Sequence, residues 1–248
     1  MSQTATIAIS FTAANRPSDA SLLNGSEARR DARYPISRWY LRPMAVRLAY
    51  RLADTAIRPG HFTLLNLLLI ASAVSVLLAF PMWPLLAAGL VLAAWFCDRL
   101  DGALARAQGR QSAAGAWLDG NIDELGDLAL HGAMAAVASV SLGNLAWGLF
   151  MGFLAGKYLL MYGLQSPEGT SSSHEVPAKP PRPASLLRML YHLPANADVR
   201  IHLAIAALIA AVWNPAWLAI ELGLIAIYYN LRWSLRYALV LSNLKFEI

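Results

Sequence analysis

Long apolar stretches alternate with short polar turns over most of the chain, and this pattern predicts an all-α protein. Pro, Gly and Asn mark the turns between the stretches. Six stretches have the length and composition of membrane-spanning helices. We predict spans at residues 61–80, 84–105, 115–141, 145–164, 199–213 and 216–240. The sequence therefore predicts a polytopic membrane protein with six transmembrane helices.

The N-terminal part of the chain follows a different pattern. Residues 1–34 are rich in Ser, Thr, Ala and Asn, which predicts a disordered cytoplasmic tail, and they lack the pattern of a signal peptide. Residues 35–58 are amphipathic, with Ala45 and Leu52 on an apolar face and arginines opposite. We interpret them as an interfacial helix on anionic lipid, the alternative being a soluble helix packed on a partner. Residues 59–245 then form one six-span domain.

Composition and charge support this interpretation. Hydrophobic residues make up 57% of the 248 residues and charged residues 14%, whereas soluble domains carry about 25% charged residues. The turns at 80–84, 142–145 and 213–215 contain no Lys or Arg, which places both termini and the polar motif described next on the cytoplasmic side. We therefore expect an integral protein of a bacterial inner membrane. The net charge of +5 then reflects topology and anionic membrane lipid, with no nucleic acid partner.

Four aspartates interrupt the second and third predicted spans. Spacings of three and four residues place Asp98 with Asp101 on one helix face and Asp119 with Asp123 on another. A charged side chain in a bilayer costs roughly 2.5–3.5 kcal/mol, and facing carboxylates repel one another unless a cation lies between them. Because oxygen ligands suit Mg²⁺ or Mn²⁺, the pattern predicts a site for two divalent metal ions.

Eight residues around these aspartates have the spacing of a known signature, D-x2-D-G-x2-A-R-x8-G-x3-D-x3-D. The matching residues are Asp98, Asp101, Gly102, Ala105, Arg106, Gly115, Asp119 and Asp123. In this motif the chain resembles the CDP-alcohol phosphotransferase family, also called CDP-alcohol phosphatidyltransferases. The resemblance implies that residues 59–245 transfer a substituted phosphate from a CDP-alcohol, usually CDP-diacylglycerol, to an alcohol acceptor with release of CMP. It also implies a homodimer.

The resemblance further implies roles for the motif residues. Asp98, Asp101, Asp119 and Asp123 would bind the metal ions, and Asp123 would also act as the general base that accepts the proton of the acceptor hydroxyl. Binding of the CDP-linked donor would involve Gly102, Ala105, Arg106 and Gly115.

The start of the first predicted span carries a partial second motif. Family members commonly have Pro-Asn-x-x-Thr here, and this chain keeps Pro59 and Thr63 but has Gly60 in place of Asn. We expect Thr63 to contact the nucleotide, the alternative being a helix cap.

Two cations within the predicted spans, Lys157 and Arg200, are candidates for binding the acceptor. They favour a phosphorylated polyol, such as inositol phosphate or glycerol phosphate, over serine or choline. Their alternative role is to reach the membrane surface as snorkelling side chains. We expect Asp127, one turn beyond Asp123, to join a polar network.

Two other functions stay open at this stage. One is transfer of a CDP-linked small alcohol phosphate to a lipid hydroxyl, which would use the same eight residues. The other is a non-enzymatic membrane scaffold or transporter. A transporter would be expected to show repeat symmetry or broken helices, which the sequence does not indicate.

Overall fold

The computed structural model describes residues 34–163 and 196–243, and within these ranges the ordered elements are all helical. A 3₁₀ turn, Ser37–Trp39, is followed by seven described helices: α1 (Leu41–Leu52), α2 (Pro59–Ala79), α3 (Pro84–Ala107), α4 (Ala113–Leu142), α5 (Asn144–Gly163), α6 (Ala197–Ala210) and α7 (Ala216–Asn243). The predicted all-α fold is confirmed for these residues. The predicted N-terminal tail lies outside the described residues, except for Tyr34.

Helices α2 to α7 coincide with the six predicted spans, since each begins and ends within three residues of the predicted bounds. Two of them, Pro59–Ala79 and Ala113–Leu142, are long and apolar enough to cross a membrane. Six transmembrane helices therefore stay a prediction.

Helix α1 is shorter than the predicted helix at 35–58. It ends at Leu52, where the Thr55 hydroxyl donates a hydrogen bond of 2.7 Å to the Leu52 carbonyl and closes a turn. Ala45 and Ala49 on its apolar face are buried against α3. The described structure thus places this face on protein, and contact of α1 with lipid stays a prediction.

Small side chains bring the helices close together in the interior. The larger of two central clusters joins all six helices from α2 to α7, and the smaller joins α4, α5 and α7. Alanines such as Ala73, Ala138 and Ala204 are fully buried in the larger cluster, and small residues of this kind favour close helix packing in membranes. Large apolar side chains such as Leu68 and Ile227 point outward and are exposed.

Helices α5 and α7 approach each other closely at Gly156. A Cβ atom added there would lie 2.8 Å from the backbone nitrogen of Asn230 and 2.9 Å from Tyr229 Cβ. Asn230 Nδ2 also donates a hydrogen bond of 2.7 Å to the carbonyl of Gly152. This contact fixes the part of α7 that carries Tyr229.

Candidate active site

Three of the four predicted metal ligands come together between α3 and α4. One carboxylate oxygen from each of Asp98, Asp119 and Asp123 lies within 4.8 Å of the other two. Asp119 and Asp123 share a face of α4 because they are four residues apart. Within the described residues, Asp119 Oδ1 is buried and accepts no hydrogen bond.

The chemistry of this cluster fits a divalent metal ion. Three carboxylates at such distances repel one another unless a cation neutralises them. Carboxylate oxygens are the ligands that Mg²⁺ and Mn²⁺ prefer. Asp119 Oδ1, which has no hydrogen-bond partner among the described residues, is also free to bind such an ion.

The fourth aspartate, Asp101, faces α2 and is not a member of this close group of three. Its side chain is buried, and Asp101 Oδ2 accepts a hydrogen bond of 2.8 Å from Thr63 Oγ1. Helix α2 begins at Pro59 with Arg58 as its N-cap, so the alternative role of Thr63 as a helix cap is wrong. Thr63 instead connects α2 to the aspartate motif.

A cavity of about 400 Å³ lies between α2, α3 and the start of α4. The five residues predicted to bind the CDP-linked donor all line it, together with Asp101 and Asp119. These five are Thr63, Gly102, Ala105, Arg106 and Gly115. The structure thus brings the five residues together on one cavity next to the acidic cluster.

Two glycines shape the wall of this cavity. Gly60 has no atom within 4 Å of an added Cβ, so the position where the family commonly has Asn is open space. The backbone nitrogen of Gly115 donates a hydrogen bond of 3.0 Å to Oγ of Ser112, the N-cap of α4. A Cβ at Gly115 would lie 3.0 Å from the same Oγ, so a larger residue would press on the cap.

A second cavity of about 280 Å³ shares Gly102, Arg106, Gln111 and Asp119 with the first. It is also lined by polar side chains that the sequence analysis did not assign to the site, namely Tyr34, Arg42, Arg99 and Gln111. Arg99 forms an ion pair with Asp98. The three arginines make this cavity suitable for anionic groups.

The two predicted acceptor-binding cations meet at one carboxylate of α4. Lys157 Nζ lies 2.5 Å from Asp127 Oδ2, and the Arg200 guanidinium lies 3.2 and 3.3 Å from the two oxygens of Asp127. Lys157 and Arg200 are both buried. The structure therefore places Asp127 in a polar network, as predicted, and both cations contact this carboxylate, one helical turn beyond Asp123.

Several residues of this network were missed by sequence reasoning. Glu124 is 2.7 Å from Lys157 Nζ, and the hydroxyl of Tyr229 accepts a hydrogen bond of 2.8 Å from Arg200 Nη1. Asn66 is buried and lines a small cavity of about 50 Å³ together with Asp123 and Arg200. Asn66 and Tyr229 each stand in an apolar helix, which is the only local signal that could have indicated them.

His131 continues the network away from the acidic cluster. It is fully buried, with Nδ1 2.7 Å from the carbonyl oxygen of Asp127 and Nε2 3.3 Å from Glu221 Oε1. It thereby links α4 to α7 behind the two cations.

The fold and the site together define a class of protein, a helical enzyme that handles a phosphate-bearing substrate at a cluster of carboxylates. The family model for CDP-alcohol phosphatidyltransferases matches residues 56–217, and the chain belongs to this family. This confirms the predicted family and, with it, the predicted enzyme class, a transferase of substituted phosphate groups.

One curated relative is the archaetidylinositol phosphate synthase of Pyrococcus horikoshii. The two sequences are 34% identical over 118 residues, which amount to 47% of this chain and 58% of the relative. The match thus spans little more than half the length of that protein.

Proposed function

We propose that this protein transfers a phosphatidyl group from CDP-diacylglycerol to the hydroxyl of an alcohol acceptor and releases CMP. The observation that carries the proposal is the convergence of Asp98, Asp119 and Asp123 beside a cavity lined by the other signature residues. Family membership gives the reaction class, phospholipid head-group transfer.

In this reaction Asp123 accepts the proton of the acceptor hydroxyl. The hydroxyl oxygen forms a bond to the phosphorus that carries the lipid, and the bond from that phosphorus to the oxygen of CMP breaks. Thr63, Gly102, Ala105, Gly115 and Arg106 hold the CDP part of the donor in the larger cavity.

Divalent metal ions support this chemistry at the acidic cluster. Asp98, Asp101 and Asp119 would hold two Mg²⁺ or Mn²⁺ ions, with Asp123 as a further ligand. When bound, these ions neutralise charge on the phosphate oxygens. Thr63 restrains the Asp101 carboxylate in the orientation that its hydrogen bond sets.

The acceptor is a phosphorylated polyol of the inositol phosphate or glycerol phosphate type. The support is a pair of buried cations, Lys157 and Arg200, that both contact Asp127, one helical turn beyond Asp123. The contacts of Arg200 with Asp127 and Tyr229 use three of the five N–H donors of a guanidinium, which leaves donors for a phosphate. The name of the Pyrococcus relative, archaetidylinositol phosphate synthase, also includes inositol phosphate.

The membrane arrangement belongs to the same proposal. Helices α2 to α7 cross a bacterial inner membrane, both termini and the acidic cluster face the cytoplasm, and the protein forms a homodimer. Exposed apolar side chains such as Leu64, Leu68 and Ile227 support contact with lipid. A site at the membrane boundary suits a donor whose acyl chains need lipid and whose nucleotide needs water.

The proposal is tested by measuring CMP release from CDP-diacylglycerol by the purified full-length protein with Mg²⁺ or Mn²⁺. The acceptor panel contains inositol phosphate, glycerol phosphate, inositol, serine and choline. We expect the wild-type protein to release CMP with a phosphorylated polyol in a metal-dependent reaction. The Asp119→Asn variant should release none.

Two results would count against the proposal. Release only with a CDP-linked small alcohol and a lipid hydroxyl would favour the alternative transfer. No metal-dependent release with any acceptor would favour the scaffold.

A further inference from the structure

Residues 34–40, here called the arm, are fixed to the start of α6 by one buried carboxylate. Asp198 is fully buried. Asp198 Oδ2 accepts hydrogen bonds from the backbone N–H groups of Ile36 at 2.7 Å and Ser37 at 3.0 Å, and Oδ1 accepts one from the Ser37 hydroxyl. Trp95 Nε1 of α3 donates to the same Oδ1 at 3.2 Å and to Ser37 Oγ at 2.9 Å. One side chain therefore holds the arm, α3 and α6 together.

The arm places the ring of Tyr34 against the guanidinium of Arg99, which pairs with Asp98. The guanidinium carbon of Arg99 lies 4.1 Å from the ring centroid of Tyr34 and 4.0 Å from that of Trp95. At such distances both rings attract the cation. Within the described residues, Arg99 Nε is buried and has no hydrogen-bond partner. Apart from its pair with Asp98, ring contact is what restrains this guanidinium.

Restraint matters here because Arg99 lies next to three carboxylates and pairs with only one of them. Asp98, Asp119 and Asp123 each have an oxygen within 4.8 Å of the other two. A mobile guanidinium would engage several of these oxygens, since arginine binds carboxylates with two or more N–H groups. It would then neutralise the same oxygens that a divalent cation uses.

We propose that Asp198 is a positioning residue for the metal site. It keeps Tyr34 against Arg99 through the arm and Trp95 against Arg99 through its own hydrogen bond to the indole. This prevents the guanidinium from competing with the divalent cation for the three aspartates. The inference rests on the proposed function, because it takes these aspartates as metal ligands. It adds two residues, Asp198 and Tyr34, that lie outside the signature.

The test measures Mn²⁺ binding to the purified full-length protein without substrate, by electron paramagnetic resonance of free Mn²⁺. In Asp198→Asn the side-chain amide nitrogen cannot accept hydrogen bonds, so the arm loosens. We expect Mn²⁺ affinity to fall by roughly tenfold, about the effect of one hydrogen bond to a charged group. Tyr34→Leu should weaken binding similarly, whereas Tyr34→Phe keeps the ring and should bind like the wild type.

A matched control comes from another contact between the same two segments. The Tyr40 hydroxyl lies 2.5 Å from His202 Nε2 on α6. Tyr40→Phe removes this hydrogen bond but none of the hydrogen bonds that the Asp198 carboxylate accepts from Ile36, Ser37 and Trp95. His202 Nδ1 keeps its own contact with the carbonyl oxygen of Asp198. We expect its Mn²⁺ affinity to equal that of the wild type, which separates loss of the Arg99 contact from general loosening of the arm.

Arg99→Ala tests the mechanism itself. Without a guanidinium there is no competitor, so adding Asp198→Asn to Arg99→Ala should leave Mn²⁺ affinity as in Arg99→Ala alone. The inference would be overturned if Asp198→Asn lowered Mn²⁺ affinity as much in the Arg99→Ala background as in the wild type. Wild-type Mn²⁺ affinity in both Asp198→Asn and Tyr34→Leu would overturn it too. If Asp198→Asn does not fold, the Mn²⁺ affinities of Tyr34→Leu and Tyr34→Phe decide whether the ring contact with Arg99 matters.

Failure of the proposed function gives a different result. In that case the wild type itself would bind no Mn²⁺, or Asp119→Asn would bind it equally well. Either result overturns the metal site and the positioning role together.

Discussion

Thr63 Oγ1 donates a hydrogen bond of 2.8 Å to Asp101 Oδ2, and this contact connects the first turns of α2 to the aspartate motif of α3. Thr63→Val keeps the shape of the side chain but removes the donor. A hydrogen bond to a buried charged group contributes about 1.5–3 kcal/mol, so we expect transfer activity to fall by roughly tenfold or more. The measurement is kcat and the Mg²⁺ concentration for half-maximal CMP release.

Thr63→Ser is the matched control, because it keeps the hydroxyl and loses only a methyl group. Its activity should stay within about threefold of the wild type, which corresponds to less than 1 kcal/mol. Equal losses in the Ser and Val variants would mean that packing of the methyl group, not the hydrogen bond to Asp101, is what matters.

The second prediction concerns Asp123 as the general base. Asp123→Asn should reduce kcat to background, since an amide does not take the proton of the acceptor hydroxyl. Binding of CDP-diacylglycerol should stay measurable, because the donor cavity is lined by other residues. Donor binding is measured by calorimetry in detergent, and CMP release by a discontinuous assay.

Glu124→Gln is a useful comparison for Asp123→Asn. Glu124 is the next residue on α4, is partly exposed and contacts Lys157 at 2.7 Å. We expect a change mainly in the acceptor KM for this variant. Full activity in Asp123→Asn would remove Asp123 from the role of base.

The third prediction concerns Arg200 in acceptor binding. Its guanidinium contacts both oxygens of Asp127 and the hydroxyl of Tyr229. A lysine cannot reproduce this planar set of donors, so Arg200→Lys should raise the KM for a phosphorylated acceptor by about tenfold, or 1.4 kcal/mol. The KM for CDP-diacylglycerol should not change, and both constants are obtained from initial rates.

Tyr229→Phe provides the control for Arg200→Lys, since it removes one hydrogen bond and keeps the guanidinium and its ion pair. A smaller increase in acceptor KM is expected. If Arg200→Lys raised the donor KM instead, the cation would belong to the CDP-lipid site.

The parts of the site that sequence could predict are those set by local helical geometry. Asp119 and Asp123 share a face because they are four residues apart on one helix, and long apolar stretches predicted the bounds of α2 to α7 closely. The predicted length of α1 was wrong. Apolar periodicity continues past Leu52 in the sequence, but a turn closed by the Thr55 hydroxyl ends the helix there.

Contacts between distant segments could not be predicted in this way. Ser37 and Asp198 are 161 residues apart in the sequence, and neither belongs to a recognisable motif. Lys157 was predicted as a phosphate-binding cation, but its partners Glu124 and Asp127 follow from how α4 packs on α5. Such partners depend on tertiary packing, which single-sequence periodicity does not encode.

The last prediction concerns the packing of α5 on α7 at Gly156. An alanine there would place Cβ 2.8 Å from the backbone nitrogen of Asn230 and 2.9 Å from Tyr229 Cβ. Because a backbone atom cannot rotate away, the helices must separate, and overpacking of this kind costs about 1–3 kcal/mol. We expect Gly156→Ala to lower the thermal unfolding midpoint of the purified protein by several degrees (roughly 2–4 °C per kcal/mol at this chain length).

The matched control is Gly152→Ala, one turn earlier on α5. Its added Cβ would lie 3.6 Å from Ala226 Cβ, which is an ordinary contact, and the unfolding midpoint should hardly change. Separation of the helices at Gly156 would also move Tyr229 away from Arg200, so the acceptor KM of Gly156→Ala should rise as in Tyr229→Phe. A stable Gly156→Ala protein with an unchanged acceptor KM would mean that α5 and α7 accommodate the extra methyl group without separating.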